Sequence, residues 1–200
     1  MNELSRLAED LVFACRRAYT RGIQTGSGGN VSARVPGKNE MLVKASGSSF
    51  GDSTSDGFVV TDFEGAYIYG IGKPTREALL HGYLYSLNPN IHAVVHVHAP
   101  YSVIWSSAHE TLPRITWQAR LKMPLDIPVL DIPAPMVRKE DFPLIKATLE
   151  NSPGIPAFIL KDHGIVAFAE NPVNAEHAAE LIEETAQIAF FEQLQRKLAL

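Results

Sequence analysis

Two hundred residues, 46% hydrophobic and 20% charged, suffice to bury one substantial core, and residues 1–200 read as a single domain. A formal charge of −4, with 18 scattered Lys and Arg, offers no basic field to a phosphodiester backbone, and no apolar run reaches the roughly 18 to 20 residues that span a bilayer. Nucleic-acid and membrane partners are therefore not expected. The single cysteine, Cys15, excludes an internal disulfide, and with an opening Met1-Asn2-Glu3 that is no apolar leader the chain fits a reducing cytoplasm.

In chain order, Leu4, Leu7, Ala8, Leu11, Val12 and Cys15 recur at helical spacing, which predicts an amphipathic helix from residue 3 to about 20, ended by Gly22, with Cys15 buried. A glycine-rich turn over Thr25–Asn30 follows. Val31–Val35 and Met41–Lys44 read as strands joined by Pro36-Gly37-Lys38-Asn39, and residues 57–61 and 66–69 as a second pair. Leu79, Leu80, Tyr83, Leu84 and Leu87 mark a helix that starts near Pro74 and stops at Asn88-Pro89-Asn90. A buried strand is expected over Ala93–His98, extended or edge structure over 124–135, and a helix near 140–150. Strands at 157–160 and 164–168 and a closing helix over about 172–198 complete the pattern.

Within this frame, His96-Val97-His98, Asp162-His163-Gly164 and Glu77 offer three imidazoles and a carboxylate, the donors of a catalytic divalent metal site with one position that can open. Alternate strand residues share a face, so His96 and His98 point together from backbones about 7 Å apart, near enough to share one ion. A bare His-x-His equally suits two histidines that merely hydrogen-bond. His92, about 13 Å further back on the same face, reads as a structural or rim histidine. Glu77, in the first turn of its helix, equally suits a favourable helix-dipole charge or a surface pair with His81. Three small-residue elements could together cradle a phosphate: the loop holding Ser27, Gly29 and Asn30, the loop Ala45-Ser46-Gly47-Ser48-Ser49, and the amino end of the helix at Thr75. Each alone is equally an ordinary turn.

Five ordered segments, Thr25-Gly26-Ser27-Gly28-Gly29-Asn30-Val31-Ser32, Ala45-Ser46-Gly47, Lys73-Pro74-Thr75-Arg76-Glu77, Ala93-Val94-Val95-His96-Val97-His98-Ala99-Pro100 and Asp162-His163-Gly164, resemble the class II aldolase/adducin family, which includes sugar-phosphate aldolases and an epimerase. The resemblance implies an α/β fold, a three-layer α/β/α sandwich around a central, mainly antiparallel sheet, assembled as a homotetramer. It implies that His96, His98 and His163 ligate one divalent metal per subunit, commonly zinc (Zn2+), with Mn2+ or Co2+ as other candidates. It further implies that Glu77 alternates between the metal and acid/base work, and that Ser27, Gly29, Asn30, Ser46, Gly47 and Thr75 hold a phosphate. The activity so implied is cleavage of a ketose 1-phosphate, a phosphorylated sugar, to dihydroxyacetone phosphate and an aldehyde through a metal-bound enediolate.

Two departures stand out. Trp117 occupies the place where well-known aldolases have a tyrosine that handles a hydroxyl proton, and no tyrosine follows Tyr101. Arg76 stands where aldolases often have serine; it suits phosphate, a substrate carboxylate or plain solvation. Both departures suit a sister activity of the family, decarboxylation of a 3-oxo-tetronate 4-phosphate, with dehydration of a methylthioribulose phosphate and a non-catalytic adducin-like binding module as further alternatives.

Overall fold

The structure, a computed structural model, describes residues 3–198, so the expectation about Met1 and Asn2 lies outside the described residues. Helix α1 (Glu3–Thr20) turns Ala8, Leu11, Ala14, Cys15 and Ala18 inward, and the chain leaves it through Gly22 at φ 74°. Cys15 is buried, as expected, and burial pushes its thiol up to about 12. Strands β1 (Asn30–Arg34) and β2 (Glu40–Lys44) form the first hairpin, and β3 (Phe58–Asp62) and β4 (Tyr67–Gly70) the second. Helix α2 (Ala78–Leu87) leads to β5 (Ala93–Val97).

Three short elements follow that periodicity did not indicate: α3 (Pro100–Ser106), β6 (Thr111–Leu112) and α4 (Trp117–Lys122). None is long enough to establish a period, and the start signals are single residues, Pro100 at the first turn of α3 and Thr116 at the cap of α4, where its hydroxyl accepts from Ala119 N at 3.0 Å. The proline-rich stretch yields β7 (Ile127–Leu130), one strand in from the edge rather than at it. A 3-10 turn over Lys139–Asp141 opens α5 (Phe142–Asn151), and β8 (Ala157–Leu160), β9 (Gly164–Ala169) and α6 (Pro172–Leu198) complete the fold.

Among the described residues one sheet runs in the order β4-β3-β2-β1-β5-β9-β8-β7-β6, mixed because β7 and β8 are parallel and antiparallel at every other junction. Its two faces bury separate cores. Val31, Ala33, Val95, Val97, Ile165 and Ala167 pack with α1, α3 and α6, while Met41, Val94, Val166 and Phe168 pack with α2 and α5. This is three-layered, helix on sheet on helix. No described helix is long and apolar enough to cross a membrane.

One boundary differs with consequence. Helix α2 begins at Ala78, not near Pro74, because the preceding residues are tied to the sheet. Ala45 and Pro74 form an isolated bridge, Ser46 N donates to Lys73 O at 2.8 Å, and Thr75 N to Lys44 O at 3.2 Å. Glu77 therefore occupies the cap position before the helix (φ −97°, ψ 12°) rather than its first turn, and its side chain makes no cap hydrogen bond.

Candidate active site

The register of the central strands builds the first half of the site. Asn30 of β1 lies opposite His96 of β5, and Ser32 opposite Val94. Because Val31, Ala33, Val95 and Val97 fill the core on the other face, strand alternation turns Asn30, Ser32 and His96 toward α2. Facing them, Glu77 at the cap of α2 and His81 within it are both buried, which excludes the surface-pair alternative. His98 lies just past the end of β5, its backbone N–H bonded to Gln24 Oε1 at 2.9 Å. His163 arrives on the turn between β8 and β9, where Asp162 takes a left-handed φ of 56°. A Cβ on Gly164 would sit 2.2 Å from Val97 O, so glycine lets this turn press against the end of β5. His92 is exposed, as a rim residue.

The three imidazoles converge. His96 Nε2 lies 3.2 Å from His98 Nε2 and 3.3 Å from His163 Nε2, and one nitrogen from each ring falls within 4.8 Å of the others. His96 Nδ1 is 2.9 Å from Ile165 O. A carbonyl only accepts, so Nδ1 carries the proton and Nε2 keeps its lone pair for the shared centre. Burial, together with the neighbouring histidines, lowers His98 to about 4 and also lowers His163, so both are neutral at pH 7. His96 Nε2 brings a lone pair, and as neutral imidazoles His98 and His163 can each turn one toward the same point, so this donor set fits a divalent ion.

Glu77 completes the corner. Its Oε2 accepts from Asn30 Nδ2 at 2.8 Å and lies 3.3 Å from His96 Nε2, while its buried Oε1 makes no hydrogen bond. Burial works against its ionisation, but His96, the Asn30 amide, His163 and His81 outweigh it and hold its pKa below the ordinary carboxylate range.

The second half of the site is a cleft of about 120 Å3 bordered by Ser27, Gly29, Asn30, Ser46, Gly47, Thr75, Arg76, Glu77, His98 and His163. Of the residues that the resemblance assigns to the metal, the acid/base step or the phosphate, all border this cleft except His96, which is fully buried and joins through its Nε2. The cleft is lined mainly by polar groups and falls below the roughly 300 Å3 at which drug-sized sites begin, as suits a small charged ligand. The amides of Ser46 and Thr75 are taken by Lys73 O and Lys44 O, so these two residues offer the cleft their hydroxyls, as Ser27 does its own. Arg76 joins them, exposed and without an ion pair among the described residues.

Several participants were not singled out from the sequence. Pro135 and Met136 border the cleft from the segment after β7, and Gly28 from the first loop. Gln24, 2% exposed, donates from Nε2 to Thr25 O at 2.7 Å while its Oε1 holds His98, so it joins the glycine loop to the histidine cluster. Buried Lys44 donates to Ser48 O at 2.5 Å and Ala45 O at 3.3 Å, bracing the Ser46-Gly47 loop from behind; burial lowers its pKa. A lysine closing an otherwise apolar strand was the available signal for Lys44; Gln24 had none.

Residues 9–190 match the family described as Class II Aldolase and Adducin N-terminal domain. An L-fuculose phosphate aldolase of Methanococcus maripaludis is 30% identical over 181 residues, 90% of this chain and 94% of that one. A 3-oxo-tetronate 4-phosphate decarboxylase of Haemophilus influenzae is 31% identical over 195 residues, 94% of this chain and 89% of that one. Among solved structures, an L-fuculose 1-phosphate aldolase superposes with a TM-score of 0.83 at 25% identity, covering 96% of this chain and 88% of that one.

Proposed function

The chain belongs to the class II aldolase and adducin family, and we propose that it is a divalent-metal-dependent carbon–carbon lyase acting on a phosphorylated sugar, an aldolase that releases dihydroxyacetone phosphate and an aldehyde from a ketose 1-phosphate. The observation that carries this is the convergence of His96, His98 and His163 beside a buried Glu77 at the mouth of a small polar cleft. His96, His98 and His163 would hold the ion, which we take to be zinc. When bound, it supplies Lewis-acid polarisation of a substrate oxygen.

The chain's own residues supply the rest. Ser27, Ser46, Thr75 and Arg76 bind the phosphate, with Gly29 and Gly47 letting the backbone come close. Asn30 fixes Glu77 through Oε2 and leaves Oε1 free, so Glu77 holds or moves the proton at the substrate carbon where the bond breaks. Proton NMR of dihydroxyacetone phosphate in heavy water tests this. The metal-loaded protein should exchange a carbon-bound proton for deuterium, and Glu77→Gln should slow that exchange by about 10²- to 10⁴-fold. No exchange by metal-loaded wild-type protein would overturn the lyase assignment.

A second reading, decarboxylation of a 3-oxo-tetronate 4-phosphate, is favoured by one observation in particular. Aldol cleavage must also remove a hydroxyl proton, yet no tyrosine borders the cleft among the described residues, and Trp117 is 84% exposed on α4. Loss of carbon dioxide removes no such proton, and the free guanidinium of Arg76 suits the departing carboxylate. Turnover of a neutral ketose 1-phosphate against a phosphorylated 3-oxo acid separates the two. We further propose a cytoplasmic homotetramer, a state supported by exposed Trp117 and Leu121 on α4 and by Tyr67, Ile68 and Tyr69 along the edge strand β4. A monomer in light scattering at micromolar concentration would overturn it.

A further inference from the structure

Beneath Glu77 lies a row of polar side chains that this chemistry does not use. On β1, Asn30 and Ser32 are two residues apart and share a face; Glu77, at the cap of α2, and His81, within its first turn, both meet that face. The pairs meet like rungs. Asn30 Nδ2 donates to Glu77 Oε2, and Ser32 Oγ lies 2.7 Å from His81 Nδ1. Ser32 Oγ also lies 2.6 Å from the hydroxyl of Tyr85, one turn further along α2. Ser32 and His81 are fully buried and Tyr85 is 1% exposed. Apolar residues would fill this space without the desolvation cost of three polar groups.

The row ends in two buried atoms without a hydrogen bond, His81 Nε2 and Glu77 Oε1. Protons can be placed along it. Burial pushes the Tyr85 phenol well above its ordinary pKa, so it keeps its proton and donates to Ser32. Ser32 has one proton, which goes to His81 Nδ1. Burial holds His81 neutral, with a pKa of about 3, so its remaining proton sits on Nε2. The opposite assignment would leave a bare Nε2 lone pair in the field of the Glu77 carboxylate.

We propose that His81, fixed as its Nε2–H tautomer by Ser32 and Tyr85, is a positioning residue for Glu77, donating to one lone pair of Oε1 when the carboxylate turns from His96 and leaving the other for the proton at the substrate carbon. This role rests on Glu77 being the proton carrier. It gives the carboxylate two defined stations, one 3.3 Å from His96 Nε2 and one against His81, with Asn30 as the shared anchor.

Two measurements test it. In nitrogen-15 NMR of histidine-labelled, metal-loaded protein at pH 7, the signal lost in His81→Gln should be a neutral Nε2–H tautomer and should shift in Glu77→Gln. An Nδ1–H tautomer, or a signal that Glu77→Gln leaves unmoved, would overturn the proposal whatever reaction the protein catalyses. In the heavy-water exchange assay, His81→Leu should slow exchange at least tenfold while metal content and the affinity for inorganic phosphate stay unchanged. His81→Gln, which keeps an N–H donor, should recover most of the rate, and His81→Leu should add no loss in a Glu77→Gln background. Loss of metal, equal losses in both backgrounds, or no recovery with Gln would make His81 merely structural. Should His81→Leu not fold, Ser32→Ala and Tyr85→Phe take its place, each expected to slow exchange two- to fivefold; unchanged rates in both would overturn the role. Absence of exchange in the wild type would refute the lyase reading alone, and the tautomer measurement would still decide the place of His81.

Discussion

The two sides of the cleft are held in different ways. Asn30, Glu77 and His96 come from paired strands and the start of a helix, are at most 7% exposed, and meet at contacts of 2.8 and 3.3 Å. Ser27, Ser46, Gly47 and Arg76 sit on exposed loops and border the same cleft. In the proposed reaction a proton must reach one carbon atom, and small displacements of its carrier are costly, which suits a carrier held between sheet and helix. A phosphate presents several equivalent oxygens and tolerates adjustment, so its donors can come from loops.

The largest expected effect falls on the buried side. His96→Ala/His98→Ala should lose stoichiometric metal, measured by metal analysis after gel filtration, while still binding inorganic phosphate through the loops; full metal content would sink the ligand assignment. Gly29→Ala probes the seam between the two sides. Gly29 has φ 63°, and a Cβ there would lie 2.4 Å from Gln24 Oε1 and 2.8 Å from His96 O. Gln24 also holds His98, so the added methyl should disturb both histidines and weaken metal binding by about tenfold, equivalent to about 1.4 kcal/mol. Unchanged metal affinity in a competition titration would show that the glycine loop and the histidines are mechanically separate. On the loop side, Arg76→Ser should slow turnover of carboxylated sugar phosphates by about 10- to 100-fold, the loss of one charge-assisted hydrogen bond of roughly 1.5 to 3 kcal/mol. Neutral ketose 1-phosphates should lose as much, because a phosphate contact is common to both substrates; a far smaller loss would place Arg76 on the substrate carboxylate and favour the decarboxylase reading.

The sequence exposed the two sides unequally. Strand alternation makes His96 and His98 legible as a pair, and the small-residue composition of the two loops marks them before the structure brings them to one cleft. The antiparallel pairing of β1 with β5, which places Asn30 beside His96 and so beside Glu77, joins residues 66 apart and has no local signature. The same holds for His81. Its spacing from Glu77 is a local fact, but a surface pair and a buried row share that spacing, and only Ser32 arriving from β1 separates them. The start of α2 was misplaced for a related reason. Leucine spacing locates the helix, whereas the bridge between Ala45 and Pro74 decides where the chain is free to begin coiling.

The last expected effect concerns the pH dependence of stability, to which His81 and Glu176 contribute with opposite signs. Burial, reinforced by His96 and opposed by Glu77, lowers His81 from its ordinary 6.5 to about 3. Between those values the unfolded chain takes up a proton that the folded chain refuses, so His81 makes stability fall as pH drops from about 6.5 to about 3. At pH 5 this amounts to about 2 kcal/mol relative to pH 8. Glu176 acts oppositely. Burial and neighbouring Glu180 raise it to about 8, so the folded chain binds its proton first and stability gains as pH falls from about 8 toward 4.5. The two partly cancel in the wild type, and the useful quantity is the difference between wild type and His81→Gln, both stripped of metal with a chelator. Urea midpoints should show the wild type losing more stability than His81→Gln between pH 8 and 5, by about 2 kcal/mol once converted. Parallel curves would mean that His81 is as accessible to a proton in the folded protein as in the unfolded one, which a fully buried ring bonded to Ser32 does not permit.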